Sequence, residues 1–128
     1  MTQYVDKDVQ RLLHMIAAIG RLKRAVSGVA EAEFRLDEKL QDAVSFDIST
    51  IGESAARVSA DFQQRHPEIP WAKMRGMRNF LVHIVDYEQV DYGIVWSVAT
   101  DTLPRLEPTI RAALAQIELP LDFKLPEV

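Results

Sequence analysis

Apolar positions recur every three or four residues along most of the chain, which is the signature of amphipathic helices. Val5, Val9, Leu12, Ile16, Ile19 and Val26, with Leu13 and Leu22 beside them, form the stripe of a long first helix, and Ser27-Gly28 marks its stop. Asp37 is placed to cap a second helix in which Val44, Ile48, Ile51, Ala55 and Val58 again step by four and three. A parallel stripe of small residues, Ser45, Ser49, Gly52, Ala56 and Ser59, runs beside it and suits either tight packing inside one bundle or a seam between two copies. His66-Pro67-Glu68-Ile69-Pro70 interrupts the period, because each proline lacks an N–H and disfavours helix at the residue before it. Pro70 then suits the start of a third helix, running to about His83 or Ile84. A last helical stretch begins near Val90 and passes through Val95, Val98, Leu103, Leu106, Ile110, Leu114 and Ile117, with Pro104 kinking or splitting it and Pro120 ending it.

Strand signals are missing: there is no sustained alternation and no Asn-Gly or Asp-Gly turn between apolar runs. The expected fold is therefore all-α, a four- to five-helix up-and-down bundle over residues 1–118. An extended tail, 119–128, with two prolines and no helical period, is free to pack on a partner.

Composition narrows the possibilities. The 128 residues suffice for one core, and 48% apolar with 27% charged residues is ordinary globular composition. The absence of cysteine removes disulfides, thiol nucleophiles and Cys-based metal sites. No apolar run reaches the ~18 residues of a membrane span, and Met1 to Asp8 do not read as an export signal, so the expected location is the cytoplasm. A net charge of −4 argues against a chain that coats nucleic acid with its whole surface. Local charge is different: Arg65, Lys73, Arg75 and Arg78 stand against Glu68 alone, and Asp86, Glu88 and Asp91 follow.

The chemistry concentrates in that basic segment. At 100° per residue, Met74, Met77, Phe80, Leu81 and Ile84 share one arc of the third helix, while Arg75, Arg78, Asn79 and His83 occupy the opposite one. Arg75, Asn79 and His83 form a ridge at i, i+4 and i+8, with Arg78 at its edge. An imidazole titrates near neutrality and can take a proton from a hydroxyl, whereas guanidinium stays charged and grips phosphate oxygens. RNA carries its own nucleophile, the 2′-hydroxyl, so His and Arg suffice to cleave it through a 2′,3′-cyclic phosphate; DNA lacks that group. A second proton-transfer group is missing from one copy of the motif, and a two-fold dimer would supply it.

Several segments in order extend the pattern: Asp42-Ala43-Val44, Ile51-Gly52-Glu53-Ser54-Ala55, Pro70-Trp71, Gly76-Met77-Arg78-Asn79, Val90-Asp91-Tyr92, Ile94-Val95-Trp96 and Asp101-Thr102-Leu103-Pro104. Over nearly its whole length the chain resembles the HEPN superfamily, specifically the HepT-like toxins, whose hallmark of Arg, a polar residue, a short spacer and His is matched by Arg78, Asn79 and His83. The resemblance implies a helical dimer with a composite ribonuclease site at the two-fold cleft. In that site His83 is general base or acid, Arg78 the phosphate clamp and Asn79 an orienting or phosphate-contacting residue; Arg75, on the same ridge, reads as a supporting RNA contact. It further implies a toxin–antitoxin pair of the type VII kind, in which a small MNT-type nucleotidyltransferase binds the toxin and transfers AMP onto a tyrosine shortly after the His. Here the chain departs from the pattern: Val85 stands two residues after His83 where the family commonly has Tyr, and the nearest tyrosine is Tyr87. No cofactor and no metal is implied.

Other residues carry weaker signals. His14 reads as structural, and His66, Glu68 and His83 lack any fixed metal-ligand spacing. Glu53 reads as a solvated helix face that also borders the small-residue stripe. Trp71 and Trp96 read as core or interface aromatics, although Trp71 lies near enough to the basic arc to stack a base. Two alternatives to the ribonuclease stand beside it: a non-catalytic HEPN module that pairs with a nucleotidyltransferase and binds nucleotide or nucleic acid, and a plain dimerisation domain, which leaves the Arg75, Arg78, Asn79 and His83 cluster without a reason.

Overall fold

A computed structural model of the chain describes residues 6–77 and 90–117. All regular elements among them are helical. Helix α1 spans Lys7–Val26; its N-cap Asp6 accepts from the Asp8 amide at 2.7 Å, and the chain leaves it through Ser27 and Gly28, whose φ of 74° is the left-handed conformation that favours glycine. Helix α3 spans Glu38–Arg57 and is capped as expected, the Asp37 carboxylate accepting from the Leu40 amide at 3.0 Å. α1 packs mainly on α3 and on the last helix. Leu12, Ile16 and Ile19 of α1, with Val44, Ile48 and Ile51 of α3, form the centre of the core.

Two short helices depart from the expected pattern. Helix α2, Glu31–Phe34, is too short to show a period; it is fixed by Phe34, which is fully buried against Tyr92 and Trp96. The Phe34 carbonyl, left over at the helix end, accepts from the buried Gln41 amide at 2.9 Å. Helix α4, Ala60–Arg65, takes Ser59 as N-cap, the hydroxyl accepting from the Phe62 amide. This corrects the small-residue stripe of α3: Ser59 lies outside that helix. Its backbone N–H and hydroxyl both donate to the Asp8 carboxylate, at 2.8 and 2.6 Å, which ties the start of α1 to the α3–α4 junction. Of the remaining stripe, Gly52 is buried, Ser45 and Ser49 are half-buried and Ala56 is exposed.

Residues 71–77 form helix α5 after the expected proline loop; its expected end at about His83 or Ile84 lies outside the described residues. The last stretch is one helical run in three parts: α6, Tyr92–Ser97, capped by Asp91; a π-helical turn, Val98–Thr102; and α7, Leu103–Ala115. The spacing of its buried residues explains the turn. Val95, Ala99, Leu103 and Glu107 are buried at three successive intervals of four. In a continuous α-helix three such steps drift by about 120° around the axis, so the fourth residue would leave the core face. The π turn, in which the Leu103 amide reaches back to the Val98 carbonyl, absorbs one extra residue and restores the face. Pro104 sits at the start of α7, where its missing N–H costs little.

Glu107 is buried within this face. Its carboxylate accepts from Lys23 of α1 at 2.9 Å and from Arg111 at 3.0 Å. Burial alone raises its pKa, but the hydrogen bonds and charges of Lys23 and Arg111 together outweigh burial and hold it below the ordinary 4.5. A carboxyl lowered in this way stabilises the fold above its unfolded pKa and loses that contribution as pH falls through the folded value. Lys23 is 45% exposed, so its charge remains partly hydrated when unpaired. Glu107→Gln is accordingly expected to cost about 1–2 kcal/mol at pH 7. Melting curves at a series of pH values should show the gap from the unsubstituted protein narrowing below about pH 4.5. The buried Asp47 carboxylate is matched in the same way, by Arg21 at 2.8 Å, and joins α1 to α3.

Candidate functional site

The entrance to α5 is held by aromatic packing. Ile69, Trp71 and Met74 are buried, and the Trp71 indole N–H donates to the His66 carbonyl at 3.0 Å. Phe62 of α4 stacks on the His66 ring at 4.3 Å between centroids and meets Trp71 edge to face at 6.1 Å. These contacts correct the idea that Trp71 stacks a base: it is 7% exposed, with its ring in the core. Farther along, Met77 joins Ile48, Ile94, Val95 and Val98 around a small apolar cavity of about 100 Å³. With Trp71, Met74 and Met77 turned inward, the rotation of α5 is fixed and its other face, carrying Lys73 and Arg75, is exposed.

The Arg75 guanidinium is oriented by a neighbouring side chain. Its Nη1 donates to Gln63 Oε1 at 2.8 Å, and the Gln63 amide donates in turn to the Val58 carbonyl at 2.9 Å. The guanidinium is thereby linked to the α3–α4 junction while remaining open to solvent. Arg78, Asn79, His83 and Tyr87 lie outside the described residues.

The loop that precedes α5 carries its own polar pair. His66 is buried under Phe62, and its Nδ1 donates to the Glu68 carboxylate at 3.0 Å. Glu68's own backbone N–H, followed by the His66 ring, holds that carboxyl below its usual range, against a smaller opposing effect of burial. Among the described residues no group of three or more His, Asp or Glu side chains is arranged to hold a metal ion. Glu53 is exposed and paired with Arg57 at 2.7 Å, and His14 is exposed on α1. Sequence reading did not single out Gln63, although it sets the Arg75 side chain; a glutamine in a short helix gives no periodic signal.

Gly76 is the neighbour of Arg75 on the exposed side, and a Cβ built there meets none of the described residues within 4 Å. A helical glycine that fills no tight space costs stability relative to alanine. Gly76→Ala is expected to raise stability by about 0.5–1 kcal/mol, read as a higher urea midpoint at unchanged slope.

Comparison with known proteins agrees with this organisation. Residues 15–113 match the family model described as "Ribonuclease HepT-like". The chain is 29% identical over 103 residues to a protein of Caldanaerobacter subterraneus subsp. tengcongensis named "Putative RNase TTE0752", covering 80% of this chain and 90% of the relative. It is 33% identical over 90 residues to "Probable ribonuclease HepT" of Thermococcus cleftensis, covering 70% of this chain and 80% of the relative. No solved structure matches it significantly. Among the described residues no helix is long and apolar enough to cross a membrane. With the family model spanning the core helices, the α5 entrance and most of α7, the chain belongs to the HepT-like ribonuclease family.

Proposed function

We propose that the protein is a metal-independent endoribonuclease, the toxin of a toxin–antitoxin pair, working in the cytoplasm as a homodimer whose cleft joins two copies of Arg78-Asn79-x3-His83. The observation that carries this reading is the occurrence of that motif, intact, in a chain of the HepT-like ribonuclease family. His83 of one copy removes the proton from the RNA 2′-hydroxyl, whose oxygen attacks the adjacent phosphorus. The P–O5′ bond breaks, and the second copy's His83 protonates the leaving oxygen. The products are a 2′,3′-cyclic phosphate and a free 5′-hydroxyl. Arg78 clamps the phosphate oxygens and Asn79 orients them. Arg75, anchored on Gln63, contributes a fixed positive charge on the same ridge. Gly76 leaves the surface beside it open to close approach by another backbone.

An MNT-type nucleotidyltransferase is the antitoxin in this reading. It restrains the enzyme by binding it and by transferring AMP to the Tyr87 hydroxyl from a nucleoside triphosphate, with pyrophosphate leaving. In this reading the chain divides into a helical domain, 1–118, and a C-terminal tail, 119–128, that would meet that partner; 118–128 lie outside the described residues. The test is incubation of the purified chain with end-labelled RNA in EDTA. Fragments ending in cyclic phosphate are expected. One departure from the family pattern, Val85 where Tyr is common, favours a second reading as a non-catalytic module that binds the nucleotidyltransferase and nucleotide or nucleic acid. Absence of cleavage by protein shown by mass spectrometry to be unmodified at Tyr87 would establish that second reading.

A further inference from the structure

An open groove of about 560 Å³ lies between α4, the proline loop and α5. This lies within the ~300–1,000 Å³ usual for ligand sites. Gln63, Gln64, Pro67, Pro70, Lys73 and Arg75 contribute to its walls, and no carboxylate is among the described residues that line it. In a chain of net charge −4, a groove whose ionised groups are one lysine and one arginine is a local reversal of sign. The described acids on the segments that form it are already matched: Asp61 pairs with Arg65 at 3.0 Å and Glu68 with His66 at 3.0 Å. Lys73 is exposed and makes no ion pair among the described residues. Arg75 stands at the other side of the groove with its guanidinium oriented by Gln63.

We infer that this groove is a substrate-strand channel, binding the phosphodiester backbone of single-stranded RNA to one side of the cleaved bond through Lys73 and Arg75. The inference rests on the ribonuclease reading for the identity of the strand, and on the charge of the groove for the mode of binding. Backbone phosphates are the ligand that a lysine, a forked guanidinium and the exposed Gln64 amide complement. Base identity contributes little, because Trp71, although part of the groove wall, is only 7% exposed, and Phe62 is buried. The short α4 and the His66–Phe62 stack make the groove wall stiff, so the strand binds a preformed surface.

The test uses full-length protein carrying His83→Ala, which holds RNA without cutting it, and a fluorescein-labelled 12-nucleotide oligouridylate followed by anisotropy over a salt series. Adding Lys73→Glu is expected to weaken binding by at least about tenfold and to reduce the slope of log K against log salt by about one. Lys39→Glu makes the same change of net charge on an acidic stretch at the start of α3 and is expected to leave binding unchanged. Equal effects of the two substitutions, or no RNA binding by the parent protein, would overturn the channel. If Lys73→Glu spared RNA binding but abolished association with the cognate nucleotidyltransferase, the occupant would be a protein and the RNA assignment would fall. The two readings separate cleanly: cleavage that ignores Lys73 removes the channel and leaves the ribonuclease, whereas Lys73-dependent binding without cleavage by the unsubstituted chain does the reverse.

Discussion

His83→Ala is expected to lower the rate of RNA cleavage by about 10²–10⁴-fold, the contribution typical of a positioned acid or base, while shifting the melting temperature little. Both halves of that statement matter. The core is built from α1, α3 and α7, with Leu12, Ile16, Ile51, Ile110 and Leu114 fully buried, so stability has its source elsewhere. A composite site that uses one imidazole as base and its symmetry mate as acid should also give a bell-shaped dependence of rate on pH, because one group must be neutral and the other protonated. Arg78→Ala should reduce cleavage while the profile keeps its two limbs, since guanidinium stays charged across the range and contributes none of its own. Single-turnover cleavage of labelled RNA from about pH 5 to 9 reads the unsubstituted protein and both variants. A His83→Ala protein that cleaves at the parent rate would remove His83 from the chemistry.

A second large effect is expected from Phe34→Ala, this time on the fold. Phe34 is fully buried, lies 5.1 Å from the Trp96 ring and 6.0 Å from Tyr92, and is the only buried side chain of α2. Truncating such a ring removes its transfer free energy and leaves a cavity, at a cost of about 3–5 kcal/mol. Against the ~5–15 kcal/mol of a typical domain, that is a large share. Urea denaturation followed by circular dichroism should show a much lower midpoint, with Phe34→Leu recovering most of the loss. Any fall in cleavage should track the unfolded fraction and recover on cooling, unlike the loss caused by His83→Ala. A change under about 1 kcal/mol would mean that α2 is not integral to the core.

Much of this architecture is legible in the order of residues. The stripe from Val9 to Leu22 finds α1, the Ser27-Gly28 stop ends it, and Asp37 caps α3, because each of these signals is local. The break at Ser59 is hidden since the apolar spacing through Val58 continues toward Phe62, and the deciding contact comes from Asp8, 51 residues away in sequence. Glu107 is hidden for a similar reason: it falls on the apolar face of α7, and only Lys23 of a different helix makes burial of a carboxylate acceptable. At the site, the outward face of α5 follows from the inward Trp71, Met74 and Met77. The groove beside it does not, because its walls form where one continuous stretch, residues 60–75, turns at the proline loop, and that turn leaves no periodic signal.

The π turn at Val98–Thr102 also restricts how this chain can change length. Deleting one residue there would convert the intervals of four between Val95, Ala99, Leu103 and Glu107 into the mixed threes and fours of a regular α-helix, keeping the buried face intact. The same deletion would place Pro104 inside a continuous helix, where its ring and missing N–H cost about 3 kcal/mol. Loss of the extra residue and loss of the proline are therefore coupled: each is more readily accommodated when the other has occurred, so descendants of this sequence should vary in length here together with the identity of position 104.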